Sequence, residues 1–180
     1  MQLSMTKKMI LSAFFLALGI VLPFLTGQIP TLGAMLLPMH IPVLLCGLLC
    51  GPRWGAVVGA VTPLLRSLLF FIPPLYPTAV AMAFELLSYG AVIGVLFLRV
   101  RRRGVASLLG CLLAAMVAGR LAWGGAQMVL LGVGADGFTA AAFLTGAVTG
   151  AIPGIVMQLV LIPTVMVALE RMHIVSLHSN

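Results

Sequence analysis

Charged side chains are scarce in this sequence, and acidic ones are almost absent. Only 7% of its 180 residues are charged, and Asp and Glu together number 3. Soluble domains carry about 25% charged residues, so the composition excludes a water-soluble globular protein. With 62% hydrophobic residues and a mean hydropathy of +1.24, the chain has the composition of an integral membrane protein.

The sequence also lacks the motifs of common catalytic and cofactor-binding sites. It contains no glycine-rich nucleotide-binding loop, no Gly-x-Ser-x-Gly nucleophile motif and no paired metal ligands. Its three cysteines, Cys46, Cys50 and Cys111, lie in apolar runs with no histidine at ligand spacing. We interpret these thiols as small buried apolar side chains. We therefore expect no enzyme activity, no cofactor and no metal site.

The positive net charge does not indicate a nucleic-acid partner. The formal net charge is +7, but most of the cations lie in short segments between apolar runs, where Lys and Arg set the orientation of a membrane protein. We therefore expect the chain to contact the lipid bilayer and not nucleic acid.

Six apolar runs predict an all-α integral membrane fold with six transmembrane helices in a single domain, residues 1–180. A spanning helix requires about 20 apolar residues, and short Pro- and Gly-containing segments separate the runs. We place the spans at about 8–25, 34–51, 54–71, 78–98, 105–131 and 138–169.

Positive residues occur at every second connection between these spans. Lys7 and Lys8 precede the first span, Arg53 lies between the second and third, arginines at 99 and 101–103 follow the fourth, and Arg171 follows the sixth. The other connections contain no Lys or Arg. By the positive-inside rule, the N- and C-termini are predicted to be cytoplasmic, in a multi-pass protein of the cell membrane.

Charged residues inside the spans are candidate site residues. A charge at mid-bilayer costs about 3 kcal/mol on insertion scales, and Arg66, Glu85 and Arg120 all lie within apolar runs. The alternative for Glu85 and Arg120 is an interhelical ion pair. The alternative for Arg66 is snorkelling to the outer membrane interface.

Other polar residues share helix faces with these charges. Trp123 and Gln127 lie at i+3 and i+7 from Arg120, and Tyr89 lies at i+4 from Glu85. Two such faces suit a cavity that binds a small polar organic molecule. For Trp123 and Tyr89, packing or contact with lipid is the alternative.

Two further polar residues complete the candidate substrate-binding set. His40 opens the second span, where a capping or headgroup position is its alternative role, and Gln158 lies on the sixth span. An uncharged amide and an imidazole can each orient a bound ligand by hydrogen bonds.

Small residues recur at four-residue spacing, which lets helices approach closely. For the glycines, packing within the six-helix unit is the favoured interpretation. Ala13 and Ala17, on the first helix, are a candidate docking strip for a partner subunit. The repeats are Ala13 and Ala17; Gly47, Gly51, Gly55 and Gly59; Gly90 and Gly94; and Gly146, Gly150 and Gly154.

The run LPMHIPVLLCGLLCGPRWGAVVGAVTPLLRSLL, followed by PPLYPTAVAMAFELLSYGAVIG, resembles the substrate-binding S component of energy-coupling factor (ECF) vitamin transporters. The segment AFFLA at residues 13–17 resembles the Ala-x-x-x-Ala motif on the first helix of that family. The resemblance implies a high-affinity binder of a small water-soluble vitamin, with a pocket toward the outer face that is capped by the loop at about residues 26–38. It also implies that Ala13 and Ala17 pack against an ECF transmembrane coupling subunit, which two ATPase subunits drive.

Within the resemblance, pantothenate or another carboxylate vitamin is the expected ligand, because two intramembrane arginines and His40 suit a carboxylate. Folate, pyridoxine and a hydroxymethylpyrimidine remain alternatives, whereas riboflavin and thiamine fit a more aromatic site than this chain, at 7% aromatic, provides. Two other functions remain open. The first is a self-sufficient small channel or proton-coupled carrier that uses Glu85, and the second is a membrane enzyme with Glu85 or His40 as acid or base.

Overall fold

The computed structural model describes residues 4–26, 36–100, 104–132, 139–147 and 151–172. Within these ranges the chain forms helices and no strand, so the all-α prediction is confirmed. The seven α-helices are α1 (Met5–Val21), α2 (His40–Cys50), α3 (Pro52–Phe70), α4 (Val80–Arg99), α5 (Val105–Leu131), α6 (Ala140–Ala147) and α7 (Ile152–Arg171).

Four helical stretches in the described ranges are long and apolar enough to cross a membrane. They are Met5–Leu25, Leu75–Arg99, Val105–Leu131 and Ile152–Arg171. The α2 helix is apolar but has only 11 residues, and α3 is less apolar because Arg53 and Arg66 lie on it. The count of six spans and the orientation therefore remain predictions.

The sixth predicted span differs most from the structure. Over residues 138–169 the chain forms two helices, α6 and α7, and residues 148–150 between them lie outside the described part. Pro153 is in the first turn of α7, where a proline is tolerated because the backbone N–H it lacks has no helical acceptor. Pro153 therefore marks a helix start and not a position inside one long helix.

Glycines join α2, α3 and α4 into a closely packed unit. A Cβ added at Gly47 would lie 2.6 Å from the Gly90 carbonyl oxygen, and one at Gly55 would lie 2.6 Å from Gly47 Cα. A Cβ at Gly90 would collide with the Gly55 carbonyl, and one at Gly59 with the backbone at Leu86. Backbones this close leave no room for any side chain, so the prediction of internal packing is confirmed at these positions.

The remaining glycines of the repeats have different surroundings. Gly51 has a φ of +96° and open space where a side chain would be, so it serves the turn from α2 to α3 and not helix packing. A Cβ added at Gly94 would lie 2.6 Å from Pro52 Cα, so this glycine also packs against another backbone. The surroundings of Gly146 and Gly150 lie outside the described part of the chain.

The α4 helix is the centre of the bundle. It packs against α2, α3 and α5, whereas α1 packs against α2 and α3, and α7 makes smaller contacts with α5 and α2. An added Cβ at Gly119 of α5 would lie 2.5 Å from the ring of Tyr89, so this glycine lets α5 approach the polar face of α4. The fold thus brings α2, α4 and α5 together around one point.

The first helix presents two different faces. Ser12, Phe15 and Gly19 are buried against the bundle, and Ser12 accepts a hydrogen bond from the Cys46 thiol at 3.6 Å. Ala13 and Ala17 lie on the exposed face. The predicted small-residue strip of α1 is therefore not used for packing within the described chain.

Candidate functional site

Glu85 and Tyr89 lie one helical turn apart on the face of α4 that points into the bundle. Both are buried, with exposed fractions of 2% and 0%. A four-residue spacing on a helix places side chains above one another, so the period of α4 alone accounts for their shared environment.

Glu85 forms an ion pair with Arg120 of α5. Arg120 Nη1 lies 2.8 Å from Glu85 Oε1, and the two side chains are only 12% and 2% exposed. The interhelical pair that the sequence left as an alternative is therefore present. Removing one partner of a buried pair typically costs about 3–5 kcal/mol, because it leaves an uncompensated charge.

His40 approaches the same carboxylate oxygen from α2. Its Nε2 lies 3.3 Å from Glu85 Oε1, and the residue is fully buried. Its ring meets Tyr89 edge to face, with centroids 5.0 Å apart and planes at 88°. His40 is therefore part of the buried cluster, and the alternative of a headgroup residue is wrong. We call His40, Glu85, Tyr89 and Arg120 the polar cluster.

Several buried polar atoms of the polar cluster have no hydrogen-bond partner among the described residues. They are Arg120 Nε and Nη2, the Tyr89 hydroxyl and His40 Nδ1. More than about 90% of buried polar groups in folded proteins are hydrogen-bonded. The polar cluster therefore has more hydrogen-bonding capacity than the described residues use.

The two predicted glutamines are buried but not joined to the polar cluster by any hydrogen bond in the described part. Gln158 on α7 is 0% exposed with both amide atoms unpartnered, and Gln127 on α5 is 8% exposed with its Oε1 unpartnered. The helix of Gln158 packs against α5 and α2, which carry Arg120 and His40. Both amides remain able to bind a ligand.

Trp123 packs against α6. Its ring lies 6.2 Å from that of Phe143, with planes at 27°. An added Cβ at the neighbouring Gly124 would lie 2.5 Å from the Phe143 ring, so the glycine admits this contact. Phe143 could not be predicted as a partner of Trp123, because nothing in the sequence distinguishes it from the other apolar residues of its run.

Arg66 lies apart from the polar cluster and is not exposed. It is 2% exposed, its Nη1 donates to the Ile20 carbonyl at 2.5 Å, and its guanidinium lies 5.0 Å from the Phe24 ring and 5.6 Å from the Phe70 ring. The expectation of snorkelling is therefore wrong, because the charge is satisfied inside the fold by a carbonyl and two aromatic faces.

The Ile20 carbonyl lies in the last turn of α1, where backbone carbonyls have no intrahelical donor. After α1 the chain continues as a 3-10 turn, Leu22–Thr26, and Pro23, three positions ahead of Ile20, has no N–H with which to close a 3-10 bond to it. Arg66 Nη1 donates to this carbonyl instead.

The described part of the chain holds no group of three or more His, Cys, Asp or Glu side chains arranged to bind a metal ion. Cys46, Cys50 and Cys111 are buried and not disulfide-bonded.

Comparison with protein families gives one match. The model of the family described as "ECF transporter, substrate-specific component" matches residues 7–166, a range that includes the whole polar cluster. No curated protein and no solved structure matches the chain.

Proposed function

The chain belongs to the substrate-specific components of ECF transporters, and on this basis we propose that it captures a small carboxylate vitamin, pantothenate being the best candidate. As a member of this family it is a multi-pass membrane protein that binds a small molecule and works with the membrane and ATPase modules of the transporter.

The free edge of Arg120 is the observation that supports a carboxylate ligand most directly. Nη1 is paired with Glu85, while Nε and Nη2 are buried and unpartnered. Those two nitrogens form one side of the planar guanidinium, where two parallel N–H bonds match the two oxygens of a carboxylate. A ligand carboxylate would bind along this edge without displacing Glu85.

Glu85 has a positioning role in this proposal. An unpaired arginine inside a membrane protein is costly, and the bond to Glu85 holds the guanidinium in one orientation. His40 bonds the same carboxylate oxygen and so fixes Glu85 in turn. The ligand would then meet a preorganised donor pair, which reduces the ordering cost of binding.

Substitution of Arg120 tests the carboxylate assignment. A charge-assisted hydrogen bond is worth about 1.5–3 kcal/mol, so Arg120→Gln should weaken pantothenate binding about ten- to a hundredfold in isothermal titration calorimetry. The single change also leaves Glu85 unpaired, so the double variant Arg120→Gln, Glu85→Gln is the control for folding. If the double variant is stable and binds as tightly as wild type, Arg120 is structural and the carboxylate assignment fails.

We further propose that the exposed strip of Ala13 and Ala17 docks an ECF transmembrane coupling subunit, to which two ATPase subunits supply energy. The strip lies on the face of α1 that no other described helix covers. The proposed orientation has six spans and cytoplasmic termini, with the site facing outward.

The alternative, a self-sufficient channel or proton-coupled carrier, is tested by reconstitution. Purified protein in liposomes should bind the vitamin but not accumulate it, and uptake should require the added ATPase and coupling subunits. Uptake by the protein alone would contradict the subunit role.

A further inference from the structure

The hydrogen-bonding state of His40 places a second requirement on the ligand, in addition to the carboxylate that Arg120 would bind. This inference rests on the function proposed above and concerns what else the ligand carries. It starts from the contact between His40 Nε2 and Glu85 Oε1, at 3.3 Å.

The proton in this contact belongs to the imidazole. Glu85 is paired with Arg120 at 2.8 Å, and an ionised carboxylate can only accept hydrogen bonds. Nε2 must therefore carry the hydrogen. In a neutral imidazole the other nitrogen, Nδ1, then has a lone pair and no hydrogen.

Two features of the surroundings favour the neutral ring over the imidazolium. Arg120 already neutralises Glu85, so a protonated His40 would add an uncompensated positive charge. His40 is also the first residue of α2, where the helix dipole is positive. Tyr89, the other titratable neighbour, meets the ring in a T-shaped contact, and among the described residues Glu85 is the charged side chain bonded to His40.

His40 Nδ1 is therefore a buried acceptor without a donor. A ligand that carried only a carboxylate would satisfy Arg120 and leave Nδ1 unpaired, because carboxylate oxygens cannot donate. We propose that His40 is a specificity residue whose Nδ1 accepts a hydrogen bond from an O–H or N–H group of the ligand. The substrate class is then a carboxylate that also bears a hydroxyl or an amide-type N–H.

Two pairs of acids provide the binding test on the full chain in mild detergent. Pantothenate and biotin have a carboxylate and O–H or N–H donors, whereas nicotinate and lipoate have a carboxylate without such donors. We expect a member of the first pair to bind at least about tenfold more tightly than either member of the second. Equal or tighter binding of nicotinate or lipoate would overturn the inference.

Two substitutions test the contributions of the two His40 nitrogens separately. In His40→Gln the side-chain amide can still donate to Glu85 but no atom replaces Nδ1, whereas in His40→Asn an amide oxygen can replace Nδ1 but the bond to Glu85 is lost. We expect His40→Gln to lose about tenfold or more in affinity for the donor-bearing acid and His40→Asn to retain more of it. Unchanged affinity in a folded His40→Gln protein would contradict the role.

Nitrogen NMR of wild-type protein with ¹⁵N-labelled histidine tests the tautomer without any ligand. The His40 signals, identified by their loss in His40→Gln, should show a protonated Nε2 and an unprotonated Nδ1. A protonated Nδ1 would overturn the inference even if pantothenate binds. If none of the four acids binds while the spectrum shows the expected tautomer, it is the carboxylate assignment of the proposed function that fails.

Discussion

The close contact between α3 and α4 predicts a large effect from a very small substitution. Gly90 of α4 faces the carbonyl of Gly55 on α3, and an added Cβ would collide with that backbone. Overpacking a tight interface typically costs about 1–3 kcal/mol, while alanine gains about 1 kcal/mol over glycine in helix propensity. Since no side chain can rotate away from the collision, we expect the cost to lie in the upper part of that range, at about 2–3 kcal/mol. After subtraction of the helix-propensity gain, Gly90→Ala should lose about 1–2 kcal/mol.

The matched control is Gly110→Ala on α5, where an added Cβ meets nothing within 4 Å. The same change there should be neutral or stabilise the protein by up to about 1 kcal/mol. The assay is thermal unfolding in mild detergent, followed by the helical circular dichroism signal. A loss of 1–2 kcal/mol corresponds to a lower midpoint by about 2–8 °C for a chain of this size.

Gly90→Ala should also weaken ligand binding, because moving α4 away from α3 moves Glu85 relative to His40 on α2. Equal midpoints for the variants at Gly90 and Gly110 would refute the close packing of α3 and α4. A lower midpoint with unchanged ligand affinity would refute the idea that this packing positions the polar cluster.

Substitutions at two other places test separate parts of the fold. Ala13→Leu or Ala17→Leu should abolish vitamin uptake by the reconstituted transporter while leaving ligand affinity nearly unchanged, because added side-chain volume blocks close helix approach; an equal loss of binding would mean that the strip does not dock a partner. Arg66→Met should destabilise the protein by about 1 kcal/mol in thermal unfolding, because it removes the bond from Arg66 to the half-buried Ile20 carbonyl. Unchanged stability in Arg66→Met would contradict the assigned bond.

The helical period made part of the site predictable. Glu85 and Tyr89 share a face because they are four residues apart, and the cost of intramembrane charge required partners for Glu85 and Arg120. The position of His40 was not predictable in this way. It depends on how closely α2 approaches α4 through Gly47 and Gly90, which is a property of two segments far apart in sequence.

Arg66 and the sixth span show the limits of general rules for membrane sequences. Snorkelling assumes that a long cationic side chain near a helix end finds water, but here Phe24, Phe70 and the Ile20 carbonyl surround the charge first. Likewise, hydropathy alone does not distinguish a long helix from two shorter ones, and Pro153 fits either until its position in α7 is known.

The bond between Arg66 and the Ile20 carbonyl makes two distant positions depend on each other. Pro23 has no N–H, so in a relative with a non-proline residue at position 23 the turn itself can supply a donor to that carbonyl. A carbonyl oxygen has two lone pairs, so an arginine at position 66 could still donate to it, but the carbonyl would no longer depend on that arginine. An alignment of this family should therefore show apolar residues at position 66 mainly where position 23 is not proline.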